Sequence, residues 1–283
     1  MNKLNKKLIV FDTDGVIFRS QFLLQFSYYS SFFDYLRAFL LCFLFSINSV
    51  PIWRLLERIY TRLEGMSEDD FWKVYHRMKL IDNAMETILC IRERGHSVAL
   101  ISSGVPDFLM KHLAKRLQAD YGHGIYAKFE GNIFTGKVFG LLCSYEGKTK
   151  LTEQLLQENG ISWEDAIVIG DDRNNLDLMS HAKTSVGFNS NYQVRKKAKY
   201  VIDSCDLKKV LPYIDIEENP SFRELSTNIS REFTYSWMQE FRRKAVHVCA
   251  AFIPFFASIN YLLTVCLLMS VTLLFVMSEL MRL

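Results

Sequence analysis

The chain carries no paired-cysteine motif. Its six cysteines (Cys42, Cys90, Cys143, Cys205, Cys249 and Cys266) include no C-x-x-C, and its six histidines show no ligand spacing. A zinc site is therefore not expected, and the cysteines read as reduced core or membrane residues of a cytosol-facing protein. A strong net charge is also missing. At +3, with basic residues scattered through the first 200 positions, the chain shows none of the signatures of a nucleic-acid binder, and no nucleic-acid partner is expected. Repeats and low-complexity tracts are absent. The N-terminus is not expected to be a signal peptide: Lys3, Lys6 and Lys7 form a basic leader, but only Leu8 to Phe11 follow before Asp12. Charge is also missing locally, from Ala38 to Trp53 and again from Ala245 to Ser278. The length suffices for one sizeable domain plus additions.

Against those absences, Asp12 and Asp14 stand out in Leu8-Ile9-Val10-Phe11-Asp12-Thr13-Asp14-Gly15. Four apolar residues, β-branched in the middle, predict a buried strand that runs into two carboxylates and a glycine. Alternate residues at a strand end point the same way, so both carboxylates can reach one small volume. Close carboxylates repel unless a cation or a shared proton relieves them. That suits a hard, oxygen-liganded metal such as Mg2+, and it suits a nucleophile working beside a general acid/base. An ordinary Asp-Gly turn is the plain alternative.

Three further segments fit the same chemistry. Val98 to Ile101 predicts a strand ending in Ser102-Ser103-Gly104, which can offer hydroxyl and backbone N–H groups to an anion. Lys148 opens a helical stretch to Asn159, closed by Gly160, and can neutralise a phosphoryl group. Ala166 to Ile169 predicts a third strand, followed by Gly170-Asp171-Asp172. Between these lie helices predicted at Asn83–Glu93, Pro106–Leu117 and Asn174–Ala182, with short strands at Ser185–Phe188 and Tyr200–Ile202. Such alternation argues for an α/β fold, a parallel sheet covered by helices with its site at the C-terminal strand ends.

The four segments together resemble the motifs of the haloacid dehalogenase superfamily, most closely its phosphoserine-phosphatase-like branch, over residues 7 to 211. Asp12-Thr13-Asp14-Gly15-Val16 matches the first motif, Ser102-Ser103-Gly104 the second, Lys148 the third and Gly170-Asp171-Asp172-Arg173-Asn174-Asn175 the fourth. Flanking residues agree, at Gly65 to Asp70 and Phe134 to Val138. The resemblance implies a Rossmann-like core at 1–17 and 81–213, with a helical cap at 18–80 inserted after the first strand. It implies that Asp12 attacks phosphorus and that Asp14 serves as acid and then base. Ser102, Ser103, Gly104 and Lys148 would hold the phosphoryl group. Mg2+ would be held by Asp12, the Asp14 carbonyl and Asp171, with Asp172 and Asn175 beside them. In this branch a glycine usually stands where Asp172 is and a second aspartate where Asn175 is; Asp172 is expected to compensate.

The cap is crowded with aromatic residues between Phe22 and Phe45. It reads as a buried helical hairpin, or else as a surface that lies against lipid or admits a greasy substrate. Residues 214–240 read as a polar linker. In residues 241–283, Ala245 to Ser278 is too long for one upright span of about 20 residues. Pro254 and Ser258-Ile259-Asn260 break it into two short spans, near 245–259 and 261–279. Arg242-Arg243-Lys244 before them and Arg282 after them put both ends, and the catalytic domain, on the cytoplasmic side. Glu240 to His247 and Glu279 to Arg282 are similar to the beginning of dolichol-kinase and phytol-kinase-like membrane proteins. The nucleotide-binding remainder of that family has no counterpart here, so no kinase activity is implied.

The expected function is thus a Mg2+-dependent phosphomonoesterase acting on a phosphorylated small molecule or a lipid phosphate, anchored in the membrane through 245–279. Three alternatives stay open: a phosphotransferase, a non-catalytic membrane-anchored module, and the N-terminal part of a fusion with a lipid kinase.

Overall fold

The computed structural model describes residues 6–46 and 48–214. Of the linker expected at 214–240 only Ile214 is described, and it ends a short helix; the rest of that linker, the two membrane spans and the kinase-like segment lie outside the described residues. Among those described, no helix is long and apolar enough to cross a membrane.

Strand β1 (Leu8–Asp12) is buried along its whole length, which is why it reads as an unbroken apolar run rather than an alternating one. It pairs in parallel with β2 (Ser97–Pro106) on one side, Asp12 opposite Ile101. On the other side it pairs in parallel with β5 (Ala166–Gly170), Phe11 opposite Ile169. With β3 (Tyr121–Glu130), β4 (Ile133–Phe139), β6 (Thr184–Phe188) and β7 (Tyr200–Ile202), these form a seven-stranded sheet in the order β4-β3-β2-β1-β5-β6-β7. All pairings are parallel except β3 with β4. The chain winds outward from β1 through β2 and β3, then crosses back to β5. The connections diverge at the β1/β5 junction, and a crevice opens beyond the strand ends there. Asp12 ends one of those two strands, and Asp171 follows the other.

The connecting helices are α5 (Ala84–Glu93), α6 (Asp107–Leu117), α7 (Gly147–Asn159), α8 (Leu176–His181), α9 (Tyr192–Lys197) and α10 (Leu211–Ile214). Helix α7 stops at Gly160, whose φ of 62° lies in the left-handed region that glycine enters without a Cβ penalty. The observed elements depart from expectation in three places. Strand β2 runs past the expected end at Gly104 to Pro106, because after an irregularity beyond Ile101 it meets β3 once more, at Ile125, where its pairing with β1 has ended. The fourth motif ends in a short 3-10 turn at Arg173–Asn175, and the helix expected from Asn174 starts only at Leu176. The β3–β4 hairpin was not anticipated as a pair of strands; its half-exposed residues blur the alternation, and the turn at Gly131 (φ 61°) is its clearest local sign.

Between β1 and α5 lie four further helices: α1 (Phe22–Ser30), α2 (Phe32–Ser46), α3 (Ile52–Tyr60) and α4 (Glu68–Arg77). Helix α4 opens with a reciprocal capping box between Ser67 and Asp70. Aromatic rings bind α1, α3 and α4 to the sheet. Phe71 meets Phe26 at 4.3 Å and Phe134 at 5.2 Å between centroids, and Tyr60 meets Phe134 at 5.8 Å. Helix α2 differs from the buried hairpin expected there. Only Ala38 and Phe45 are buried on it, and much of its apolar surface faces outward.

Candidate active site

Asp12 closes β1 with its carboxylate in a dense set of donors. Oδ1 accepts the Thr13 N–H at 2.7 Å. Oδ2 lies 2.8 Å from the Lys148 ammonium and also accepts from the Asn175 amide nitrogen. Lys148 reaches there from the first turn of α7 and is only 2 % exposed. The Thr13 side chain turns the other way, its hydroxyl 3.6 Å from Met110 Sδ, which leaves Asp14 on the same side as Asp12. Asp14 Oδ1 accepts the Phe22 N–H at the start of α1 at 2.8 Å, and Oδ2 lies 3.5 Å from the Ser102 hydroxyl.

Two glycines make the close approach possible. A Cβ on Gly15, which has φ 77°, would come within 2.2 Å of Asp171 Oδ2; one on Gly104 would come within 2.8 Å of Asp14 Oδ2. The phosphate-binding residues inferred from sequence divide in role. The N–H groups of Gly104 and Val105 are not open to an anion, since both donate to Ser102 Oγ at 3.0 Å. The Ser103 hydroxyl is buried without a hydrogen-bond partner among the described residues.

Of the residues named from sequence toward a metal, the structure brings together the carboxylate oxygens of Asp12, Asp171 and Asp172, all within 4.8 Å of one another. The Asp14 carboxylate is engaged with Phe22 and Ser102; the metal contact expected of this residue is through its backbone carbonyl. Asn175 is committed to the protein. Its Nδ2 donates to Asp12 and, at 3.1 Å, to Asp172, while its Oδ1 accepts from Lys148 at 2.8 Å. The amide therefore bridges Asp12 and Lys148, which a carboxylate at this position could not do, lacking a hydrogen to give. Negative charge stands on Asp172 in its place, with Oδ1 also accepting the Asn174 N–H at 2.9 Å.

Crowding shapes the protonation of these groups. Burial, with a smaller contribution from the Asp12 charge, pushes the Asp14 carboxyl up to about 7 against the opposing Phe22 N–H. Burial followed by the Asp12 charge raises Asp172 to about 6. Asp171 is held well above the usual carboxylate range by burial and by Asp172. Oxygen donors crowded around so little positive charge fit a hard divalent cation such as Mg2+. In its absence, the raised pKa values mean that the folded state binds protons more tightly than the unfolded chain. The associated stability is present below about pH 4, the ordinary carboxylate range, and is lost as pH rises through about 6 and 7. A cation competes with those protons. Mg2+ at about a hundred times its dissociation constant is expected to stabilise the protein by about 2.7 kcal/mol, or roughly 5–10 °C in Tm, near pH 8. The shift should be markedly smaller at pH 5.5. Thermal melts at both pH values, with Mg2+ and with EDTA, check this; equal shifts, or none at pH 8, would count against the three-carboxylate site.

Sequence reasoning missed several supporting residues. Tyr60 donates from α3 to the Gly104 carbonyl at 2.7 Å, bracing the second motif from the cap. Arg173, quoted within the fourth motif but given no role, donates to the Phe45 carbonyl at the end of α2 and lies 4.6 Å from the centre of the Phe45 ring. Cys42, also on α2, sits near enough to Asp172 and Asp14 for their charges to join burial in raising its thiol. Nothing local in the sequence marks these contacts, because their partners are 28 to 130 positions away.

Comparison with known proteins agrees with this geometry. The family model of haloacid dehalogenase-like hydrolases matches residues 9–180; the kinase-like segment lies beyond those residues. A phosphoserine phosphatase of Streptococcus thermophilus is 31% identical over 161 residues, covering 57% of this chain and 74% of its own. One from Archaeoglobus fulgidus is 25% identical over 185 residues, covering 65% of this chain and 53% of its own. The match thus spans about half of one relative and three quarters of the other. A solved structure, a phospho-aspartyl intermediate analogue of phosphoserine phosphatase, superposes with a TM-score of 0.70 at 23% identity, covering 74% of this chain and 99% of its own. That last likeness is one of fold.

Proposed function

The chain belongs to the haloacid dehalogenase-like hydrolases, as a phosphatase-type hydrolase of their phosphoserine-phosphatase-like branch, and from that premise we propose that it cleaves a phosphomonoester through an aspartyl-phosphate. The observation that carries this reading is a pair of carboxylates with divided environments. Asp12 is held by Lys148 and Asn175 as an acceptor-only carboxylate, and Asp14, two residues on, is raised to about 7. Such a pair suits a nucleophile beside an acid.

In this mechanism an Asp12 oxygen attacks phosphorus while the bond from phosphorus to the substrate oxygen breaks. Asp14 gives that departing oxygen its proton. The Asp14 carboxylate then takes a proton from water, whose oxygen attacks phosphorus and releases Asp12 and inorganic phosphate. Lys148, the Ser102 hydroxyl and the Ser103 hydroxyl hold the charged phosphoryl oxygens through both steps. Asp12, Asp171 and Asp172 would hold Mg2+, which supplies further positive charge against those oxygens.

Phosphoserine is the substrate that the relatives support. A lipid phosphate is the one that the aromatic cap and the uncharged stretch from Ala245 to Ser278 support. We place the protein at a membrane through residues 245–279, with the catalytic domain on the cytoplasmic side, on the strength of that stretch and its flanking basic residues. A phosphate-release screen with Mg2+ tests the reaction and its substrate together. The panel is O-phosphoserine, other soluble monoesters, and polyprenyl and other long-chain phosphates in mixed micelles, with the Asp12→Asn variant as control. EDTA-sensitive release that the variant lacks is expected. No release from any member of the panel by folded protein would defeat the proposal, and the preferred substrate decides between the two classes.

A further inference from the structure

Helix α2 is apolar on two faces. Ala38 and Phe45 are buried, and Leu41 and Cys42 half-buried, on the side toward the protein interior. Phe32, Phe33, Leu36, Phe39, Leu40 and Phe43 are exposed, with Phe33 at 71% and Phe43 at 55%. The spacing of the exposed set, 32, 33, 36, 39, 40 and 43, follows one stripe of a helix. A helix that is apolar all round is normally covered on every side, and a contiguous exposed apolar stripe of this kind marks a contact surface.

We infer that the outer face of α2 docks onto an anionic lipid surface, lying in its plane. Length excludes spanning: 15 residues reach about 22 Å, short of a hydrocarbon core of about 30 Å. An interfacial helix needs only to sink its apolar face to the headgroup boundary. The margins fit. Tyr28 and Trp53 are exposed at the ends of the neighbouring helices, and Arg54 lies 4.9 Å from the Trp53 ring; aromatic side chains of this kind prefer the headgroup level. Over residues 32–63 the charged residues are Arg37, Arg54, Arg58 and Arg62 against Asp34 and Glu57, four cations to two acids. All four arginines are exposed, so the excess favours anionic headgroups. The same chain holds the uncharged stretch from Ala245 to Ser278, which would keep this face near a bilayer.

The other end of α2 bears on catalysis. Its last turn is closed locally, the Asn48 N–H donating to the Phe45 carbonyl at 3.0 Å and the Ser49 N–H to that of Leu44 at 2.9 Å. Arg173, two residues beyond Asp171, donates to the carbonyl of Phe45, and Gln193 donates to that of Ser46 at 3.0 Å. A cation there also favours the negative end of the helix dipole. The helix that would touch lipid is therefore tied to the acidic loop. The docking itself does not depend on the phosphatase reading, and binding and turnover are measured separately.

The test uses a chain ending at Thr227, which lacks the uncharged stretch but keeps the whole sheet. That portion folds as a unit on two grounds: residues to Thr227 form one compact unit, and the superposed structure is covered over 99% of its length without any further segment. Co-sedimentation with vesicles of phosphatidylglycerol and phosphatidylcholine is compared between this chain and its Phe33→Glu/Phe39→Glu/Phe43→Glu variant. None of these residues belongs to the catalytic machinery, and matching circular-dichroism spectra and cooperative melting of both shorter proteins confirm that the variant is folded. Vesicle binding that weakens with salt, and that the triple variant loses by about tenfold or more, is expected. Binding that is absent, or unchanged in the variant, overturns the inference. A concentration-dependent dimer that the variant abolishes, without vesicle binding, assigns the face to a second copy and overturns it. If the triple substitution lowers the thermal stability of the full chain while the shorter chain ignores vesicles, the face belongs to residues 245–278, and the inference likewise fails.

Discussion

Replacing Asp12 with asparagine is expected to abolish turnover while leaving the fold in place. An amide is a poor nucleophile, and removal of a catalytic nucleophile costs several orders of magnitude, on the order of 10^5 or more in kcat. The fold should survive for reasons visible around the side chain. With its oxygen toward Lys148 and Asn175, the new amide keeps both of those donors satisfied. It forfeits the Thr13 N–H, which now pairs with Oδ1 at 2.7 Å, at a cost of about 1 kcal/mol. One charge also leaves a cluster in which Asp12 raises Asp14, Asp171 and Asp172 alike, and this offsets part of that cost. A melting temperature within a few degrees of wild type, with no detectable phosphate release, is the expected pair of measurements. Hydrolysis at the wild-type rate by well-folded Asp12→Asn would remove Asp12 from the chemistry.

Asp14→Asn should slow the reaction by about 10²–10⁴, and by an amount that depends on the leaving group. An alkyl alkoxide needs a proton as it departs, whereas p-nitrophenolate scarcely does, so the loss should be much larger for phosphoserine or an alkyl phosphate than for p-nitrophenyl phosphate. The wild-type pH profile should show the same group. With its carboxyl raised to about 7 by burial, Asp14 is protonated and active as an acid below that value. The rate of the leaving-group step then falls as pH rises through it. That alkaline limb should appear in kcat/KM for an alkyl phosphate and vanish in Asp14→Asn. Equal losses for both substrates, or a limb that persists in the variant, would take the acid role from Asp14.

Much of the catalytic half was legible in the residues. Strand β1 announced itself because a strand buried on both faces must be apolar throughout, and a glycine after its two carboxylates leaves room for Asp171. Four short segments in a fixed order located Asp12, Asp14, Ser102, Lys148 and Asp171, because each sits at an element end whose local signals are strong. The parallel sheet followed from the alternation of strands and helices. The β3–β4 hairpin did not, since half-exposed strands carry a weak pattern.

What the residue order determined about this protein was chemistry at strand ends: which carboxylates, hydroxyls and lysine are present and which elements carry them. Only the tertiary structure decided how they share the work. It set Ser102 Oγ to accept the Gly104 and Val105 N–H groups, turned Asn175 into a bridge between Asp12 and Lys148, and brought the Asp172 carboxylate, expected to compensate for Asn175, within 4.8 Å of those of Asp12 and Asp171. It also decided that the aromatic residues of α2 face outward instead of filling a hairpin core, and that Arg173 ties that helix to the acidic loop. The physical reason is range. Burial of a strand and capping of a helix depend on near neighbours in sequence, whereas a pKa, a bridging amide or an exposed stripe depends on what distant segments bring within a few ångströms.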